Sequence, residues 1–166
     1  MDIQSDSLKK QVGKFAVVGV INTLVDVIIL NSLVFLGFTA ILTIFGQKFL
    51  IANIISVAIA MINSFILNKQ WTFKTEGGNI YKQIFQFLAI TIIGMFVIHQ
   101  IIFNTLYYEL PSISNLIILI IHFLKLNNIF SDSFIMLNFA KIIAIIGSLI
   151  WNFIGYKFIV FKNKTA

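Results

Sequence analysis

Four long apolar runs constrain this chain more than any other feature of its sequence. They cover about residues 15–38, 49–67, 83–107 and 134–155, and a helix needs about 20 apolar residues to cross a bilayer. Only 11% of the residues are charged and the mean hydropathy is +0.99, whereas a soluble domain carries about 25% charged residues. The sequence predicts an all-α integral membrane protein with four transmembrane helices in one domain, in which residues 39–48 turn the chain.

The two halves of the chain resemble each other, which predicts two tandem two-helix repeats. The pairs matched 88 positions apart include Phe65 and Phe153, Lys69 and Lys157, Phe73 and Phe161, and Lys74 and Lys162. Near the start of each half, Lys10-Gln11 matches Lys82-Gln83 at a separation of 72. The second repeat therefore holds about sixteen more residues between its two apolar runs than the first.

These additional residues fall between the third and fourth runs. Pro111 is the single proline, and the apolar stretch after it has only about twelve residues, too few to cross a bilayer. The polar residues in and after this stretch are His122, Lys125, Asn127, Asn128 and Asp132. We expect residues 112–130 to form a short interfacial helix between helices 3 and 4, with a re-entrant or extracytoplasmic path as alternatives.

The lysines are distributed unevenly between the two sides of the predicted bundle. With four spans, both termini and the middle loop, residues 68–82, lie on one side of the membrane. Nine of the twelve lysines fall on that side: Lys9, Lys10, Lys14, Lys69, Lys74, Lys82, Lys157, Lys162 and Lys164. The positive-inside rule then predicts a multi-pass protein of the inner (cytoplasmic) membrane with both termini in the cytoplasm. Membrane lipids, rather than nucleic acid, are the expected partners of these lysines.

Polar residues inside the spans are the first candidates for function. Asp26 follows Phe15 by eleven positions, about 16 Å along a helix, and a carboxylate near the bilayer centre costs about 2.5–3.5 kcal/mol or more. Small and polar residues also share faces of three helices: Gly19, Asn22, Thr23 and Asp26; Asn53, Ser56, Ala60 and Asn63; and Lys141, Ala144, Ser148, Asn152 and Gly155. We expect these faces to meet.

Packing offers a simpler explanation for part of this set, because small and amide residues are common at membrane helix contacts. We favour packing for Asn53, Ser56 and Ser148, and function for Asp26. Lys141 either pairs with Asp26 or extends to the outer surface. For His99, alone on its helix, a structural hydrogen bond is favoured. Lys69 and Lys157 are either topology anchors or ligands of an anionic headgroup.

Catalytic and metal-binding patterns are absent from the sequence. There is no cysteine, and there is no G-x-x-x-x-G-K, H-E-x-x-H or G-x-S-x-G motif. The two histidines, His99 and His122, lie in separate segments without a carboxylate at ligand spacing. We therefore expect no enzymatic activity, no cofactor and no metal.

Three motifs stand out in order along the helices. The first is F-x-x-x-G-x-x-N-T-x-x-D, formed by Phe15, Gly19, Asn22, Thr23 and Asp26. The second is N-x-F-x-x-N-K-x-W-x-F, formed by Asn63, Phe65, Asn68, Lys69, Trp71 and Phe73. A looser copy contains Asn152, Phe153, Lys157 and Phe161. Together they resemble the GtrA-like family of small four-helix membrane proteins, although Lys69 stands where the family often has Arg and the loop before helix 4 is long.

The resemblance implies translocation of a polyprenyl-phosphate-linked sugar across the membrane, for polysaccharide or cell-wall glycosylation. The residues assigned to the lipid phosphate and headgroup are then Lys69, Lys157, Trp71 and Asn68. Those assigned to the translocation path are Asn22, Asp26, Asn63, Asn152 and Lys141. Four helices are few to enclose such a path, so a homo-oligomer is expected. The alternatives are a scaffold that recruits a membrane glycosyltransferase and a proton-coupled exporter of cationic compounds that uses Asp26.

Overall fold

The computed structural model describes residues 7–44, 47–123 and 131–162. Within these ranges, four helices are long and apolar enough to cross a membrane: α1 (Leu8–Phe35), α2 (Ile51–Thr72), α3 (Ile80–Glu109) and α5 (Asp132–Val160). A shorter helix, α4 (Pro111–Phe123), lies between α3 and α5. This arrangement confirms the predicted all-α membrane fold with four spans.

The chain divides into two compact units, and the division falls between Gly78 and Asn79. The first unit contains α1 and α2, and the second unit contains α3, α4 and α5. Residues 88 positions apart are buried in both units: Ala52 and Ala140, Ser56 and Ala144, Ala60 and Ser148, Thr72 and Val160, and Phe73 and Phe161. The units therefore coincide with the two repeats that the sequence predicts.

The helices extend beyond the apolar runs at most of their ends. α1 begins at Leu8 instead of about residue 15, and α3 begins at Ile80 instead of about residue 83. Asn79 accounts for the second start, because its side chain accepts a hydrogen bond from the Lys82 backbone N–H at 3.1 Å and caps the helix. Hydropathy marks the part of a helix that lies in lipid, whereas backbone hydrogen bonding continues into the polar flanks.

Both α2 and α5 end in a π-helical turn. These turns are Asn68–Thr72 and Tyr156–Val160, which again lie 88 positions apart. The turns close with hydrogen bonds from Phe73 N to Asn68 O at 2.9 Å and from Phe161 N to Tyr156 O at 2.8 Å. Residues 68–72, predicted as the start of a loop, are therefore helical. α3 contains two further π-helical turns, Gly94–Ile98 and Thr105–Glu109.

The segment predicted to turn the chain between α1 and α2 forms a β-hairpin. Its strands are β1 (Ile41–Ile44) and β2 (Gln47–Leu50), and they pair antiparallel with Ile41 opposite Leu50. The run predicted from about residue 49 becomes helical only at Ile51 because the two preceding residues belong to β2. The β-branched residues in β1 are typical of strands.

α4 occupies the position of the predicted interfacial segment. It packs against α5, and His122 Nε2 lies 2.7 Å from Asp132 Oδ1 at the start of α5. The predicted segment extends to residue 130, but residues 124–130, with Lys125, Asn127 and Asn128, lie outside the described part of the chain. Lys164 also lies outside it.

Candidate functional site

The first unit brings a lysine and a tryptophan together where α1 begins and α2 ends. Lys14 Nζ donates a hydrogen bond to the backbone oxygen of Trp71 at 3.2 Å and lies 5.6 Å from the centroid of the Trp71 ring. Trp71 is a predicted headgroup residue, whereas the sequence assigns Lys14 only a role in membrane topology. The antiparallel pairing of the two predicted helices was the signal that could have placed Lys14 beside the second motif.

Polar side chains are buried at the same end of the first unit. Asn68 is 1% exposed, and its Nδ2 donates to Ser64 O at 2.8 Å and lies 3.3 Å from Ser64 Oγ. Thr72, in the same π-helical turn, is 0% exposed, and Gln11 near the start of α1 is 9% exposed. Asn68 Oδ1, Thr72 Oγ1 and Gln11 Oε1 are buried atoms without a hydrogen-bond partner among the described residues.

Sequence reasoning selected Asn68 from this set but missed Gln11 and Thr72. The matched Lys10-Gln11 and Lys82-Gln83 pairs were a signal for Gln11. Thr72 has a valine at the equivalent position of the second repeat, so repeat matching could not select it. Lys69, the predicted headgroup cation next to Asn68, is half-buried.

The corresponding end of the second unit is filled by aromatic side chains. Tyr156 stands at the position equivalent to Asn68, and its ring stacks on Phe87 with centroids 4.6 Å apart. The Tyr156 hydroxyl lies 2.6 Å from Thr91 Oγ1. Lys157 Nζ lies 5.6 Å from the centroid of the Phe158 ring and 5.9 Å from that of Phe153. Each unit thus places a lysine over an aromatic ring.

Within the first unit, α1 and α2 are joined near their centres by an amide pair. Asn63 Nδ2 donates to Asn22 Oδ1 at 2.7 Å, so two of the predicted path residues are in direct contact. Asp26 follows Asn22 by one turn of α1 and is half-buried. Its Oδ1 atom is buried and has no hydrogen-bond partner in the described ranges.

Within the second unit, the predicted path residue Asn152 packs closely against α3. A Cβ atom placed on Gly94 would lie 2.5 Å from Asn152 Oδ1 and 3.2 Å from Ser148 Oγ. Asn152 Oδ1 is buried without a hydrogen-bond partner in the part of the chain that the structure describes. The neighbouring Trp151 donates from Nε1 to Ile90 O at 3.1 Å. The absent side chain of Gly94 therefore allows the two helices to approach closely.

Three residues of the predicted polar faces do not lie inside their units. Thr23, Asn53 and Lys141 are exposed, although Ser56 and Ser148 are buried. The prediction that the whole face turns inward is wrong for Thr23, whose hydroxyl donates to Gly19 O of its own helix at 3.1 Å. It is also wrong for Asn53, because its position lies toward the edge of the stripe that α2 buries. Both alternatives for Lys141, pairing with Asp26 and extension to the outer surface, stay predictions.

The first unit's end combines a cation, an exposed indole ring and buried hydrogen-bonding groups. Such a combination can hold an anionic group with hydrogen-bonding substituents next to it. Within residues 7–44, 47–123 and 131–162, no group of three or more His, Asp or Glu residues could hold a metal ion.

Comparison with known proteins gives two matches. The family model described as GtrA/DPMS, transmembrane domain, matches residues 14–161, which include α2, α3 and α5 completely and α1 from its second turn onward. A protein described as the uncharacterized membrane protein YngA of Bacillus subtilis (strain 168) is 28% identical over 155 residues. This alignment covers 93% of the chain and 82% of the relative.

Proposed function

This chain belongs to the GtrA/DPMS transmembrane-domain family, and from that membership we propose that it flips a polyprenyl-phosphate-linked sugar across the cytoplasmic membrane. The flipped sugar would serve polysaccharide or cell-wall glycosylation, with a membrane glycosyltransferase as partner. Both termini would lie in the cytoplasm, where most of the lysines are expected. The proposal assigns transport, and no catalysis, to the chain.

The buried polar groups beside Lys14 and Trp71 are the observation that carries the proposal. The cargo has a phosphodiester anion, a sugar rich in hydroxyl groups and a long apolar tail. A translocator needs a cation for the anion, hydrogen-bonding groups for the sugar and an apolar surface for the tail. The end of the first unit offers the cation and the buried polar groups within one pair of helices.

The remaining predicted residues have roles in the same proposal. Lys69 and Lys157 attract the phosphate at the entry side, because each lysine near an anionic group contributes about 1 kcal/mol. The Asn22–Asn63 pair and Asp26 form the polar path of the first unit, and Asn152 and Lys141 form that of the second. Large apolar side chains on the outer faces, such as Val20, Ile28 and Phe96, leave the tail in lipid. Several copies of the chain would enclose the path.

A binding assay on paired lysine variants tests the headgroup assignment. The change is Lys69→Ala combined with Lys157→Ala, measured by the affinity for a polyprenyl-phosphate hexose in nanodiscs. At about 1 kcal/mol for each lysine, affinity should fall about fivefold for one change and about thirtyfold for both. The control is Lys74→Ala with Lys162→Ala, an exposed pair with the same separation of 88. Wild-type binding by the first double variant would remove these lysines from the headgroup site.

Flipping in proteoliposomes separates the proposal from its two alternatives. A translocator carries the lipid-linked sugar to the opposite leaflet without a second protein. A scaffold shows no flipping, retains binding to a glycosyltransferase after Asp26→Asn and loses it when the middle loop is changed. An exporter of cations loses transport after Asp26→Asn and tolerates the loss of Lys69 and Lys157. The Asp26→Asn variant therefore separates the translocator, the scaffold and the exporter. Asp26 Oδ1, the atom concerned, is buried and has no hydrogen-bond partner in the described residues.

A further inference from the structure

The buried polar atoms of the first unit differ in chemistry from a phosphate site. We name Gln11, Asn68 and Thr72 the first-unit polar end. Each is at least nine-tenths buried, and Gln11 Oε1, Asn68 Oδ1 and Thr72 Oγ1 have no hydrogen-bond partner within the described ranges. Folded proteins form hydrogen bonds to nearly all of their buried polar atoms. Three unpaired buried atoms at the same end of one unit therefore indicate either that a ligand forms hydrogen bonds with them or that the protein keeps them for function at a cost in stability.

The hydrogen bonds already made by Asn68 define what such a ligand must offer. Its Nδ2 donates to the backbone oxygen of Ser64, which can only accept, so the remaining Asn68 Oδ1 is an acceptor. Gln11 Oε1 is an amide oxygen and also only accepts. A phosphodiester has no hydrogen to donate and cannot satisfy either atom. A sugar hydroxyl can donate to both and can also pair with the Thr72 hydroxyl.

The second unit keeps the equivalent of Gln11, the buried Gln83, but lacks the other two members of this arrangement. Asn68 and Thr72 correspond to Tyr156 and Val160, 88 positions later. The Tyr156 hydroxyl is already paired with Thr91, and Val160 is buried and has no polar side-chain atom. The two repeats have therefore diverged at these positions. The buried acceptor Asn68 Oδ1 and the buried Thr72 hydroxyl occur in the first unit and have no equivalents in the second.

We propose that the first-unit polar end binds the sugar hydroxyls of the cargo, and that the second repeat has lost this role. The inference rests on the proposed function. It adds that the protein recognises the sugar part of the lipid-linked sugar and that the first repeat makes this contact. Lys14, held at Trp71 O, supplies a cation for the phosphate that adjoins the sugar. The preference of the protein for a glycosylated lipid over the bare phosphate then comes from Gln11, Asn68 and Thr72.

A comparison of two ligands tests this assignment. The full chain is placed in phosphatidylcholine nanodiscs, without sugar-based detergent, and titrated with polyprenyl-phosphate glucose and with bare polyprenyl phosphate. Wild-type protein is expected to bind the glucose lipid more tightly. Thr72→Val should lower this preference by about two- to twelvefold, the effect of one hydrogen bond. Gln11→Met, which keeps the length of the side chain, should act in the same direction.

Thr91→Val is the matched control, because it removes a hydroxyl that is already paired with Phe87 O at 2.7 Å and with Tyr156. This variant should keep the preference for the glucose lipid but melt at a lower temperature, since the Tyr156 hydroxyl loses its partner. Thr72→Val should melt, without ligand, at the wild-type temperature or above it, because an unpaired buried hydroxyl is removed. A purely structural role for Thr72 predicts a lower melting temperature instead.

The outcomes separate this inference from the proposed function. Equal wild-type affinity for the two lipids, or an unchanged preference after both Thr72→Val and Gln11→Met, would overturn the sugar assignment while leaving flipping untouched. Failure of the wild-type protein to bind either lipid would overturn the sugar assignment together with the proposed function. Loss of the preference in the two variants, with retention in Thr91→Val, would support it.

Discussion

Asparagine side chains lie at the helix contacts of both units, but they contact different partners. Asn22 and Asn63 pair with each other at 2.7 Å, and such a bond between membrane helices stabilises by about 0.6–1.7 kcal/mol. Asn152 instead lies over the backbone at Gly94. The sequence shows that each of these positions is an asparagine. The face that each helix turns inward determines which group the asparagine contacts.

Gly94 gives a prediction at this scale. Gly94→Ala should lower the free energy of unfolding by about 1–3 kcal/mol, because the added methyl group overlaps Asn152 Oδ1 in a packed contact. Gly13→Ala is the control, since a Cβ there meets no atom within 4 Å and alanine favours a helix by up to about 1 kcal/mol. The measurement is reversible unfolding in detergent. Equal stability of the two variants would contradict the close approach at Gly94.

Among the elements, the π-helical turns at the ends of α2 and α5 have the largest effect on the candidate site. A π turn holds one more residue than an α turn, and it brings Phe73 and Phe161 to buried positions just after each helix. The same turn in α2 holds Asn68, Thr72 and Trp71. Hydropathy could not show these turns, because they include polar residues beyond the apolar run.

Deletion of Gln70, an exposed residue of the first turn, tests this element. Because a π turn holds one residue more than an α turn, the deletion leaves an α turn and the residues after it keep their register. Phe73, now 5% exposed, should therefore stay buried, and the free energy of unfolding should be close to that of Gln70→Ala. Insertion of one alanine after Gln70 instead adds a residue that the turn cannot hold, rotates the following residues by about 100° around the helix and should expose Phe73 at a cost of about 1.5–3 kcal/mol in unfolding free energy. Equal losses of stability from the deletion and the insertion would contradict the additional residue in the turn.

On the scale of the whole molecule, the chain consists of two units, each with two spanning helices, and the second unit also contains the shorter α4. The division between Gly78 and Asn79 follows the loop that contains Gly77 and Gly78, both at positive φ. Four crossings predict that the beginning of α1, this loop and the end of α5 share one side of the membrane. The lysines of those segments then predict which side is cytoplasmic.

Single cysteines test this topology without background, because the natural chain has none. Glu76→Cys and Lys162→Cys replace exposed residues on the predicted cytoplasmic side, and Thr39→Cys replaces an exposed residue on the other side. A membrane-impermeant maleimide should label only Thr39→Cys in intact cells and all three variants after permeabilisation. Labelling of Glu76→Cys and Lys162→Cys from opposite sides would contradict the four crossings.

The sequence by itself determined the fold class, the four spans and the repeat. The bilayer allows few solutions, so about 20 apolar residues define a span wherever they occur. It also selected Asn22, Asn63, Asn68 and Trp71, because polar and aromatic residues are conspicuous in apolar surroundings.

Only the tertiary structure decided the partners of these residues. The contact of Lys14 with Trp71, the burial of Gln11 and Thr72 and the approach of Asn152 to Gly94 all depend on how two helices are rotated against each other. In lipid, the hydrophobic effect does not select the face that a helix turns inward, because lipid and apolar side chains are alike. Close packing and hydrogen bonds between helices make that choice, and both depend on atomic positions that hydropathy does not contain.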